Sequence, residues 1–266
     1  NEEIYNSNQG FPAKNNTLVG VQTKRGVKIG IINLHPVTYF PKEQMVEVGR
    51  ELLVDILFKE SKKLKQRSLP IRAINHDLKT LGVENPDELR GYKEKANSLK
   101  AQQLNQNQNM LLDESETYQY VVITSEAIRD AETDVTINDL IDLRNTKGIT
   151  ATLVTIESIL SDYTGVDDAE KVRNFIIDAY TNWETEYVVL GGDVDIIPMR
   201  DLYVVDDGGT QLHSDLYYQC LDGSYNEDGD EYWGEITDGI DGGDIDLFAE
   251  VYVGRISAET PEEMSN

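Results

Sequence analysis

The sequence predicts an α/β fold: a parallel-rich sheet flanked by helices, preceded by a β-rich segment. Three observations carry this. Residues 118–193 alternate short apolar β-branched runs with helical periodicities, the order that gives a parallel sheet with helices on its faces. Residues 18–58 hold several strand-like runs without a helix between them. Between the two, residues 59–117 are polar and basic and end in a Gln/Asn-rich stretch before Met110, which reads as a connector, partly helical and partly mobile. The expected organisation is therefore 1–58, a β-rich piece; 59–117, the connector; and 118–266, the α/β body.

In the first piece, LVGVQTKRGVKIGIINLHPVTYF (Leu18–Phe40) reads as strands, with Pro36 and Pro41 at turns or a strand edge. MVEVGRELLVDILF (Met45–Phe58) continues as either strand or helix, with strand favoured for Glu51–Phe58. In the connector, Asn85–Pro86 offers a helix start. In the body, YQYVVITS (Tyr118–Ser125) reads as a buried strand. Ile137, Leu140, Ile141 and Arg144 recur at helical spacing, and Gly148 stops that helix. Ile149–Ile156 is the next strand. Val172, Phe175, Ile176, Ala179 and Trp183 form one apolar stripe. Tyr187–Asp193 is a third strand breaking at Gly191–Gly192, and DLYYQCLDG reads as an apolar-rich strand. Ligands of such sheets gather beyond the carboxyl ends of the strands, so Thr124–Ser125, Gly191–Asp193 and the residues after Gly254–Arg255 should share one rim.

The net charge of −25 sits almost wholly in the last part: residues 118–266 carry 7 basic and 34 acidic side chains, whereas residues 59–100 carry 11 basic and 6 acidic. So negative a body repels nucleic acid and anionic lipid and favours cations and basic peptides. No apolar run is long enough to span a membrane, and NEEIYNSNQGFP has no signal-peptide pattern. One cysteine, Cys220, rules out an internal disulfide framework. With no histidine near it and acids around it, Cys220 reads as a small core residue whose thiol is hard to ionise. His35, His76 and His213 have no metal-ligand spacing. Gly191–Gly192–Asp193 lacks the lysine of a phosphate loop, and Ser125 is not in a nucleophile elbow.

The loop DGSYNEDGDEYWGE (Asp222–Glu235) sets Asp222, Ser224, Asn226, Asp228, Asp230 and Glu235 at mostly alternating positions, with Gly229 at a turn. Counted from Ser224, four residues fall at EF-hand positions 3, 5, 6 and 12, a pattern that suits calcium. Serine stands where such loops open with Asp, and Asp222 could supply that carboxylate from outside. A solvated acidic turn is the alternative reading.

YVVITS, RNFIIDAY, YVVLGGD, SDLYY, LDG, DGD, WGE and VYVGRI together resemble the gingipain family of cysteine peptidases across residues 118–266, and GIINLHPVTYFP is similar to the closing strands of the family's propeptide. The resemblance implies a caspase-like fold of two side-by-side subdomains, of which this chain holds the first, and structural calcium. It implies endopeptidase cleavage by a Cys–His dyad, often after Lys or Arg. The family's histidine and cysteine lie downstream of VYVGR, so the chain alone is expected to be inactive and to need the C-terminal remainder, covalently joined or as a second chain. Glu250 matches the acid that orients the histidine, and Glu263 the substrate pocket. A secreted zymogen follows, with the basic connector as a tethered inhibitor. The alternative is a non-catalytic, calcium-stabilised adhesion or scaffold module.

Overall fold

The computed structural model describes residues 5–24, 27–57, 83–85, 112, 116–204, 209–235, 237–238 and 244–266. These fall in two compact units, one built around the N-terminal strands and one around the α/β body. The connector expected at 59–117 lies almost wholly outside the described residues.

The N-terminal unit contains β1 (Asn16–Lys24) paired with β2 (Val27–Leu34), and β3 (Val37–Phe40) antiparallel to β4 (Met45–Val48). Pro36 separates β2 from β3 and Pro41 ends β3, because proline cannot donate to a ladder. Residues 51–57 form no strand, contrary to expectation. Leu53 and Leu57 are about nine-tenths exposed there, so those apolar side chains have no partner surface to select an extended pairing.

The body is a four-stranded, wholly parallel sheet in the order β10-β7-β5-β6: β5 is Tyr120–Thr124, β6 Ala151–Thr155, β7 Tyr187–Gly191 and β10 Tyr252–Ile256. Every residue of central β5 is buried, as expected where helices cover both faces of a parallel sheet. Its side chains alternate between two cores. Val121 and Ile123 join Val154, Val188 and Leu190 under the helical pair α3 (Ile156–Asp162) and α4 (Asp168–Asp178). Tyr120 and Val122 join Ala151 under α1 (Glu126–Arg129) and α2 (Ile137–Thr146).

Helices α1–α4 each start where a side chain accepts an orphan amide. Ser125 Oγ accepts from Ile128, Thr155 Oγ1 from Ser158, and Asp167 Oδ1 from Glu170. Thr136 and Asp139 form a reciprocal capping box on α2. Gly148 follows α2 at φ +79°, a conformation costly for any side chain. The stripe expected on α4 is buried as read, but its last residues, Ala179–Trp183, are a π-helix. Two further points differ from the sequence reading. DLYYQC is not a strand: Leu216–Gln219 is the short helix α5, with Tyr217 and Tyr218 fully buried. And β8 (Arg200–Val204) with β9 (Thr210–Ser214) makes an antiparallel hairpin that the sequence did not suggest. A last helix, α6 (Pro261–Ser265), follows β10. Among the described residues no helix is long and apolar enough to cross a membrane.

Candidate functional site

The carboxyl ends of the strands meet as the sequence requires. Thr124 Oγ1 donates to Gly191 O at 2.5 Å, Gly192 N to Ile256 O at 3.0 Å and Asp193 N to Ala258 O at 3.1 Å. Arg255 locks this rim. Its guanidinium pairs bidentately with Asp215 (2.9 and 2.7 Å) and donates to the carbonyls of Gly192, Asp193 and Ile197 at 2.8–3.0 Å. Glu263 lies just beyond, in α6, where its carboxylate accepts from Glu259 N at 2.9 Å and its side chain is exposed.

Glu250 lies at the other end of the sheet. It precedes β10, and five residues at about 3.3 Å each separate the two ends of that strand. Only 2 % of its surface is exposed, and its Oε2 accepts from Leu221 N at 2.7 Å. Beside it lies Asp246, also buried, which hydrogen-bonds the Glu250 side chain. Asp246 Oδ1 also accepts from Phe248 N at 3.0 Å, and its Oδ2 from Asp222 N at 3.3 Å. Asp222, Asp246 and Glu250 thus bring carboxylate oxygens within 4.8 Å of one another. Burial, reinforced by the charge of Asp222, pushes the Asp246 carboxyl up to about 6. The sequence reading missed Asp246; its position four residues before Glu250 was the available signal.

The same surroundings decide the chemistry of Cys220. The thiol is fully buried, and burial together with the charges of Asp246 and Glu250 pushes it up to about 12. A nucleophilic cysteine needs the reverse. His213, whose side chain is 73 % exposed on the β8–β9 hairpin, pairs instead with Asp201 across the ladder. The two do not form a dyad.

Of the residues read as one EF-hand-like cage over Asp222–Glu235, the structure sets Asp222 with Asp246 and Glu250, apart from Asp228, Asp230 and Glu235. The physical reason is Tyr225, whose side chain is fully buried and whose backbone turns at φ +65°. Its hydroxyl donates to Asp246 O, and its own carbonyl accepts from Gly234 N at 2.7 Å. This anchor leaves Asp222 facing inward with Asp246 and Glu250, while Asp228, Asp230 and Glu235 form a separate group, also within 4.8 Å of one another. Ser224 belongs to neither, its hydroxyl and amide both donating to Asp244. Asn226 braces the turn: its Oδ1 accepts from Gly229 N at 2.8 Å and its Nδ2 donates to Asp230 O at 3.0 Å.

Beneath the inward group sits Arg173, 4 % exposed. It donates to the carbonyls of Tyr217, Cys220, Asp222 and Gly223 at 2.8–3.1 Å and lies over the Tyr217 ring at 4.6 Å. Gly223, at φ +71°, must be glycine, because a Cβ there would come within 2.0 Å of Asp244 O.

Residues 113–266 match Peptidase family C25. The chain belongs to this family of cysteine peptidases. Among curated proteins none matches. Solved structures similar to this C25 chain include one described as a protease, at 20 % identity and a TM-score of 0.36 over 56 % of this chain and 26 % of that one. A complex of the pro- and mature domains of RgpB from Porphyromonas gingivalis matches at 23 % identity and 0.36 over 55 % and 26 %. The Arg-specific cysteine proteinase gingipain R (RgpB) matches at 23 % and 0.35 over 57 % and 27 %. The C25 chain spans about a quarter of the length of these structures.

Proposed function

We propose that this chain is the N-terminal part of a secreted, gingipain-like cysteine endopeptidase, made as a zymogen, whose catalytic histidine and cysteine belong to polypeptide beyond residue 266. The observation that carries the reading is the C25 match over 113–266. The chemistry of the described residues is consistent with it: Cys220 is buried and shifted away from the thiolate, and His213 is turned to Asp201, which supports a nucleophile supplied by other polypeptide. The rim at Gly191–Asp193 and Ile256–Glu263 is the side of the sheet where such a pair would work, and Glu263 lies on it. By itself the chain is inactive; its partner is the C-terminal remainder of the catalytic domain, and its substrates are proteins or peptides, cleaved after Lys or Arg. The N-terminal strands belong to a propeptide, which together with the basic connector keeps the enzyme latent until it is cut.

A structural calcium belongs with Asp222, Asp246 and Glu250. The donors fit: three hard carboxylate groups whose oxygens lie within 4.8 Å, about twice a calcium–oxygen distance of roughly 2.4 Å. When bound, the ion would neutralise charges that burial disfavours and fasten the Leu221–Asp222 segment to the start of β10. Glu250 serves this ion rather than the histidine, since it lies at the amino end of β10, away from the rim.

The test is hydrolysis of fluorogenic peptides ending in Lys, Arg or a neutral residue by the full-length protein, before and after limited proteolysis. Cleavage after basic residues that rises on processing is expected and is blocked by a thiol alkylator. A folded, calcium-loaded protein with no hydrolysis before or after processing would leave the non-catalytic module instead.

A further inference from the structure

The turn at 192–197 is the part of the rim that the sheet ladder does not reach, since β7 stops at Gly191. Gly192 N and Asp193 N tie its first residues to Ile256 and Ala258. Val194 and Asp195, in its middle, are exposed. Arg255 governs the rest. Its Nη1 donates to the carbonyls of Gly192, Asp193 and Ile197 at 3.0, 3.0 and 2.8 Å, and its Nε and Nη2 donate to the two oxygens of Asp215 at 2.9 and 2.7 Å. Asp215 is the residue before α5, so one planar group joins β10, the turn and the start of α5. The pair is largely withdrawn from water, with side chains 8 % and 19 % exposed. Stripping water from two charges offsets much of their attraction, so stability is a weak reason for placing them here. Direction is a better one: a guanidinium fixes its acceptors in one plane, which neither an ammonium nor an apolar side chain can do.

We propose that Arg255, held by Asp215, is a positioning residue for peptide hydrolysis. It keeps the 192–197 turn in the single arrangement that lets substrate and the downstream Cys–His pair meet at this rim. The role rests on reading the chain as part of a peptidase. A misplacement of about 1 Å can lower a rate on the order of a hundredfold, so a turn that is folded but free to shift is not sufficient. Arg255 touches neither substrate nor reacting atoms; it acts through the backbone it holds. The backbone hydrogen bonds of Gly192 and Asp193, and that from Ile197 N to Asp193 O at 2.9 Å, do not involve the guanidinium. Without it the turn loosens and does not unfold.

The processed full-length protein is compared with R255K, which keeps the charge and loses the fork, and with D215N, which keeps an acceptor and loses the pair. Both should lower kcat at least tenfold with KM within about twofold of wild type, the pattern of an arrangement needed only in the transition state. Their thermal midpoints should stay within about 3 °C of wild type. Amide exchange should quicken at 192–197 while β5 and β7 keep their protection. A fall in midpoint that tracks the loss of kcat would reduce Arg255 to a stabilising residue and overturn the role. Unchanged kcat in both variants of an active enzyme would also overturn it, and the peptidase reading would stand. Absence of hydrolysis by the wild type, before and after processing, would remove that reading and this role together.

Discussion

Replacing Arg173 by Leu should lower the thermal midpoint of the body by on the order of 10 °C. The guanidinium is the shared donor for four carbonyls, those of Tyr217, Cys220, Asp222 and Gly223, in one segment that runs from the core to the surface. Leucine fills part of the volume but donates nothing, and each buried acceptor left without its partner costs about 1–3 kcal/mol. Some of the four will find water once the segment loosens, so a total of roughly 4 kcal/mol is reasonable, and for a body of this size each kcal/mol moves the midpoint by about 2–4 °C. Lysine should rescue little, because a point ammonium cannot span a fan of carbonyls or stack on Tyr217 as the planar group does. Calorimetry on the full-length protein checks this; a midpoint within 2 °C of wild type for R173L would mean that the segment is held by its aromatic packing alone.

With calcium removed, the body should lose stability as pH rises from about 4 to about 6. The sign follows from Asp246. Its folded carboxyl titrates at about 6, against an ordinary value of 3.8. Within that window the native state holds a proton that the unfolded chain has released, so raising the pH favours unfolding. A gap of about two pH units between the two states corresponds to roughly 3 kcal/mol, fully present below the lower value and gone above the upper one. Saturating calcium should abolish the loss, since the ion replaces the proton as the group that reconciles Asp222, Asp246 and Glu250. Asp246→Asn should flatten the pH dependence in chelator. Thermal midpoints measured across pH 4–8, with and without a chelator whose affinity is insensitive to pH, test both statements.

The α/β body was legible because its strands and helices are locally consistent: β-branched runs where the sheet is, a clean 3.6-residue stripe where α4 lies, polar caps where helices begin. Even the shared rim followed from topology. What could not be read was anything set by a single long-range anchor. DLYYQC has strand-like composition, yet it is helical because Tyr217 and Tyr218 must both enter the core and Arg173 gathers the carbonyls that follow. The acidic loop looked like one cage along the sequence, and Tyr225, an aromatic in the middle of it, divides it in two. Asp246 was passed over because its partners, Asp222 and Glu250, are 24 and 4 residues away and no spacing rule joins all three. The buried arginines Arg173, Arg200 and Arg255 read as ordinary charges. Only the fold shows that Arg200 pairs with Asp167 and lies over Trp233 at 3.6 Å.

The role of Glu250 separates a cation-holding carboxylate from a histidine-orienting one, and the E250Q variant of the full-length protein decides between them. Bound calcium, thermal midpoint and peptide hydrolysis are measured on the same preparation over a range of calcium concentrations. An ion-binding Glu250 predicts one calcium fewer per chain, a lower midpoint, and hydrolysis that returns towards wild type as calcium is raised. An unchanged ion count and midpoint, with hydrolysis reduced at least a hundredfold at every calcium concentration, would contradict it.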